Sequence, residues 1–101
     1  MIEDAYFGKI EKLGDYYAFS PWLGFFRRED FPHIHHTHLG KMKCAGRGKD
    51  DFLFRHAQWG WLWTSPTVFP RFHQRERDRW LLAEFHKDAS VTFRDIAAPK
   101  R

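Results

Sequence analysis

Four of the chain's seven histidines fall within six residues, where His33, His35, His36 and His38 spell His-x-His-His-x-His. On an extended strand His33 and His35 point to one side with Cα atoms roughly 6.5–7 Å apart, close enough to share one ion. Neutral imidazole nitrogens suit zinc, copper, nickel or iron. His38, beyond a turn, or His73, in a matching segment, would complete the set. A small metal-binding protein or metal-dependent enzyme holding zinc or another transition metal is therefore one function the spacing allows. The competing reading has Ile34 facing the core and His33 and His35 solvated, with no cofactor.

A second chemistry lies in aromatic and basic residues. Trp59, Trp61 and Trp63 alternate along one stretch, and strand alternation places them on one face. Lys41 and Lys43 occupy the same face of an earlier stretch, which must then be at least partly open, because lysines are rarely buried unpaired. That face is the candidate ligand or interface surface, for a protein or a small ligand. Arg71, Arg75, Arg77 and Arg79 form a basic segment beside Phe72, His73 and Trp80, the mixture that holds phosphates and stacks bases in single-stranded nucleic acid binding. Interleaved Glu76 and Asp78 suggest a salt-bridged loop instead. No glycine-rich phosphate loop, nucleophile elbow or Cys-x-x-Cys pair accompanies these groups. Cys44, the lone cysteine, has apolar neighbours in its unit and reads as a small buried hydrophobe.

The elements that position these residues follow from a repeated unit. Leu23-Gly24-Phe25-Phe26, Leu39-Gly40-Lys41-Met42 and Trp59-Gly60-Trp61-Leu62 each place a glycine between large apolar residues. Phe31-Pro32-His33-Ile34-His35 is echoed by Phe69-Pro70-Arg71-Phe72-His73. Glycines and prolines recur every eight to twelve residues or so, the rhythm of short strands joined by turns. The expected fold is all-β: a twisted antiparallel meander of about eight to ten strands in tandem hairpins, rolled into a half-barrel or small sandwich. An N-terminal hairpin (1–20) precedes the tandem repeats (21–95) and a basic tail (96–101). Segment 75–87 contains strong helix formers, but the repeat places a strand at 80–86, paired with 91–95. On the glycine-bearing face Phe26, Met42, Cys44 and Leu62 should form the core, the glycines leaving space for a neighbouring ring.

At 101 residues the chain makes one domain, too small for a deep enclosed site. An aromatic share of 19% is more than so small a core can hide, so some rings should line a groove or a homodimer interface. Seventeen basic against thirteen acidic residues give +4, compatible with an anionic partner without requiring one. The opening residues lead into no long apolar run, which points to a cytoplasmic protein without a membrane anchor.

From Pro21 to Phe93 the chain resembles aromatic-rich tandem β-hairpin modules of bacterial proteins. The matching residues are Trp22-Leu23-Gly24-Phe25-Phe26, Phe31-Pro32-His33-Ile34-His35, Leu39-Gly40, Phe52-Leu53-Phe54, Gly60-Trp61-Leu62-Trp63-Thr64, Val68-Phe69-Pro70 and Trp80-Leu81. Lys41-Met42-Lys43 departs from that pattern, where the modules usually carry aromatics. The resemblance implies a binding or assembly module rather than a catalyst, and it carries no catalytic residues across.

Overall fold

The computed structural model describes residues 1–28 and 30–99. Its strands are β1 (Ile2–Asp4), β2 (Gly8–Leu13), β3 (Tyr17–Ser20), β4 (Gly24–Arg28), β5 (His33–His36), β6 (Gly40–Gly48), β7 (Asp51–His56), β8 (Gly60–Thr64), β9 (Arg71–Gln74), β10 (Arg79–Phe85) and β11 (Val91–Ile96). They form one antiparallel sheet of eleven strands in sequence order, an all-β meander. Residues 79–85 are strand, settled by pairing on both sides: Leu81 opposes Phe72 on β9 and Asp95 on β11. Cross-strand packing overrides the local helix preference there.

Three boundaries differ from expectation. β1, too short to show alternation, adds an edge strand against β2. Gly46, Gly48, Lys49 and Asp50 are turn-forming residues that point to a loop at 45–50, but most of that stretch is strand, because β6 continues to Gly48 through a register shift between Ala45 and Gly48. Of the expected basic tail, Ile96 belongs to β11, whereas Lys100 and Arg101 lie outside the described residues, as does Glu29 of Arg28-Glu29-Asp30, whose polar run reads as a turn.

Laid flat, eleven strands about 4.8 Å apart would span roughly 48 Å, yet the longest dimension is 38 Å. The sheet is rolled around its inner face. Phe26, Phe52, Phe54 and Phe72 are fully buried there with Ile10, Ala18, Ile34, Met42, Leu62, Leu81 and Ala83. The roll brings distant turns together: Trp22 meets Phe69 edge-on at 5.3 Å, and His38 lies 4.8 Å from Phe85 between ring centres. Tyr6 closes the N-terminal side against Phe52 at 5.1 Å.

The Phe-Pro echo is structural. Both Phe31–Pro32 and Phe69–Pro70 peptide bonds are cis. Each proline carbonyl accepts an N–H from a residue farther along the chain, Cys44 and Ala83 respectively. Among the described residues no helix is long and apolar enough to cross a membrane.

Candidate functional site

Side chains sort into two faces, but not as a simple alternation through the repeats. Phe26, Met42, Cys44 and Leu62 point inward as expected. Leu23, Leu39 and Trp59 do not join the outer face, because each sits in the turn before the strand begins. Their shared following glycine explains this: Gly40 has φ +81°, a left-handed conformation that an L-residue enters only at a cost. At Gly40 the glycine is there for its backbone and not for a neighbouring ring, since a Cβ would meet nothing within 4 Å; at Gly24 a Cβ would touch the His36 ring at 3.9 Å, and at Gly60 the Glu76 carboxylate. The kink folds the preceding apolar residue under the sheet. Leu23 and Leu39 are buried, and Trp59 packs on the core beside Phe93 at 4.7 Å. The three-tryptophan ladder therefore reduces to Trp61 and Trp63.

The outer face is built by pairing register. Leu13, Tyr17, Arg27, His35 and Lys41 line up across β2–β6. The next row is His33, Lys43, Arg55 and Trp61. A third runs Leu53, Trp63, His73 and Trp80. Arg55 lies over Trp61 at 5.6 Å and Arg75 over Trp63 at 5.7 Å, cation–π contacts that hold both indoles. Trp63 Nε1–H donates to Asp51 Oδ1 at 2.8 Å, and Trp80 meets Trp63 edge-on at 6.2 Å. That Trp63 bond is the main reason the Asp51 carboxyl is held below its usual range.

Charge on this face is uneven. Arg55 is paired with Glu76 at 3.3 Å. The side chains of Lys41, Lys43 and His35 are exposed and make no hydrogen bond or ion pair among the described residues. The expected salt-bridged loop is only partly internal: Asp78 pairs with His73 at 2.8 Å, Arg79 reaches Asp95 at 3.3 Å, and Arg71 and Arg77 are exposed.

The histidines named for metal binding are placed apart. His33 and His35 lie on the outer face of β5, opposite Lys43 and Lys41. His38 sits in the next turn with Nε2 3.2 Å from the His86 carbonyl, and His73 is on β9 between Asp78 and Arg75. No group of three His, Cys, Asp or Glu side chains is positioned to share an ion among the described residues.

The histidines that organise the fold are His36 and His56, which the motif reading did not single out. Each stands four residues before a turn glycine, as do Asp4 and Ser20. Asp4 Oδ2 accepts the N–H groups of Tyr6 and Phe7 at 2.9 Å each, and Ser20 Oγ accepts that of Leu23 at 3.3 Å. His36 Nδ1 accepts from His38 and Leu39, both at 3.1 Å, and His56 Nδ1 from Gln58 and Trp59 at 3.1 and 3.2 Å. The other ring nitrogen then reaches backward. His36 Nε2–H donates to the Leu23 carbonyl at 2.7 Å, and His56 Nε2–H to that of Leu39 at 2.8 Å. Gln74 continues the series, its Nε2–H donating to Trp59 O at 2.9 Å while Arg79 donates to its Oε1 at 2.7 Å. A hydrogen-bonded spine thus crosses four turns, and both imidazoles must be the neutral Nε2–H tautomer. Burial pushes His36 down to about 4, with the Leu23 hydrogen bond opposing it; His56 is lowered for the same reason.

No family model, curated protein or solved structure matches this chain. One surface was not picked out from the sequence: the exposed large hydrophobic residues all lie within the first 31, including Leu13, Tyr16, Tyr17, Phe25 and Phe31. Cys44 is buried, and that burial pushes its thiol up to about 12, which removes it as a nucleophile near neutral pH.

Proposed function

We propose that the chain is a binding module whose outer sheet face, centred on Lys41, Lys43, Trp61 and Trp63, engages an anionic partner. One observation carries this reading. On the outer face of the central strands β6–β8, Lys41 and Lys43 stand two residues apart with no ion pair among the described residues, Arg55 is paired with Glu76, and the one acid of those strands, Asp51, is already engaged by Trp63 and Arg47. A sheet face needs no such bias for stability, since like charges on adjacent strands repel. An anion neutralises them.

The test is retention on a polyanion column. Each Lys→Glu change removes two charges, so Lys41→Glu/Lys43→Glu and Lys12→Glu/Lys87→Glu both take the chain from +4 to 0. The first pair should elute at much lower salt than the second. Equal elution of the two would overturn the reading.

A second reading concerns assembly. The exposed patch of Leu13, Tyr16, Tyr17 and Phe25 at the N-terminal side supports self-association into a homodimer. Sedimentation of the native chain and of Tyr17→Ser/Phe25→Ser tests it, with a purely monomeric native chain as the adverse result.

A further inference from the structure

We infer that the anionic partner is a single-stranded nucleic acid, with phosphates on the Lys41/Lys43 strand and unpaired bases against Trp61 and Trp63. This rests on the binding-face reading above and narrows it to one chemistry. Lys41 and Lys43 are two residues apart on β6, so their ammonium groups repeat at roughly 7 Å along the strand. Trp61 and Trp63 repeat at the same interval on β8, two strands away and therefore about 10 Å across the sheet. A row of cations thus runs beside a row of rings, at a separation that a sugar and a lysine stem cover together. Arg55 stands between the rows, opposite both Lys43 and Trp61.

The rings are prepared for stacking. Trp63 is fixed at its edge by Asp51 and by Trp80, and an arginine lies over one face of each indole, Arg55 on Trp61 and Arg75 on Trp63, so a stacking base takes the other face or displaces the guanidinium. Both indoles remain partly exposed. Beyond Trp63 the row ends in a cleft of about 610 Å³ lined by Trp63, Trp80, Thr67 and Val68, with Asp50 at its side. Sheet faces of this kind take bases on aromatic side chains and phosphates on flanking cations.

Two other anions fit less well. Reading a duplex requires a helix or ribbon that enters a groove, and the described residues on this face offer only the sheet surface. An acidic peptide would neutralise the lysines but leave the indole faces unstacked.

Fluorescence anisotropy tests the assignment with labelled oligouridine and oligothymidine of about 20 nucleotides, a duplex of the same length, and polyglutamate. The single strands should bind at least about tenfold more tightly than duplex or polyglutamate at equal salt. The oligouridine and oligothymidine arms distinguish RNA from DNA. Lys41→Gln/Lys43→Gln alters two exposed side chains and should reduce the log–log salt slope by about 1.4, near 0.7 for each phosphate no longer neutralised. Trp61→Ala should weaken single-strand binding by a factor between about 5 and 150, as removal of one stacking platform does. Duplex or polyglutamate binding as tightly as single strands would overturn the inference. So would a salt slope untouched by Lys41→Gln/Lys43→Gln, or no binding to any probe. If the polyanion column still distinguishes the two glutamate pairs, the failure belongs to the nucleic-acid assignment alone. If the column does not, the binding-face reading fails with it.

Discussion

Protonation of His36 should destabilise the fold, by an amount the spine makes calculable. In the folded chain its Nδ1 accepts two backbone N–H groups and its Nε2–H donates to Leu23, so a proton on Nδ1 breaks two hydrogen bonds and buries a charge. The folded pKa, about 4, lies below the usual 6.5, so the unfolded chain takes up the proton first on acidification. The His36 contribution is therefore complete above about pH 6.5 and is lost as pH falls towards 4. Linkage over that interval gives roughly 2–3 kcal/mol by about pH 4.5, with a slope approaching 1.4 kcal/mol per pH unit. His56 adds to the loss in the same direction. Asp51 and Asp88 have carboxyls held below their ordinary values, so their losses belong to lower pH. Urea denaturation of the native chain and of His36→Gln from about pH 8 to 4.5 measures the effect. The variant should be less stable at pH 8 but lose less on acidification. Parallel profiles, or an NMR titration of His36 centred above pH 6, would refute the assigned tautomer and with it the spine.

Four further outcomes follow from particular contacts. Gly40→Ala meets open space and is penalised only for its left-handed backbone, so it should cost about 1–2 kcal/mol in urea denaturation. Gly48→Ala should cost clearly more, because φ is +80° and its Cβ would run into the Tyr6 backbone oxygen; equal losses at the two positions would contradict the packing of Tyr6. Asp51→Ala frees the Trp63 indole and should cost about 1 kcal/mol, with a change in tryptophan emission. Glu76→Gln removes an exposed ion pair and should alter stability by less than about 1 kcal/mol, while freeing Arg55 and raising the salt needed to elute the chain from a polyanion column.

The fold was legible where alternation is unbroken. Phe26, Met42, Cys44 and Leu62 could be assigned to the core because a strand sends every second residue to one side. The outward placement of Lys41, Lys43, Trp61 and Trp63 follows from the same period. Alternation stops at a left-handed glycine, and there the reading failed: Trp59, placed on the outer face with Trp61 and Trp63, turns onto the core, in the position that Leu23 and Leu39 occupy before their own glycines. The roles of His36 and His56 carried a signal that a metal motif obscured. Asp4, Ser20, His36 and His56 share one offset from a glycine, and Asp and Ser in that place cap turns. The exposed N-terminal patch carried no such signal. Exposure at Tyr17 and Phe25 depends on what covers those strands in the rolled sheet, which no local pattern records.

The spine has a direction, and that direction sets a grammar for lengthening or shortening the chain. At the two middle turns of the thread one side chain must accept from its own turn's amides and donate to the carbonyl of the turn before; histidine meets both demands at 36 and 56. The thread starts at Ser20, which only accepts, from the Leu23 N–H, while the Leu23 carbonyl receives the His36 donor. A hairpin pair spliced into the middle would keep the thread only if it brought a residue of the two-ended kind. Asp4 and Ser20, which only accept, could not stand in that place.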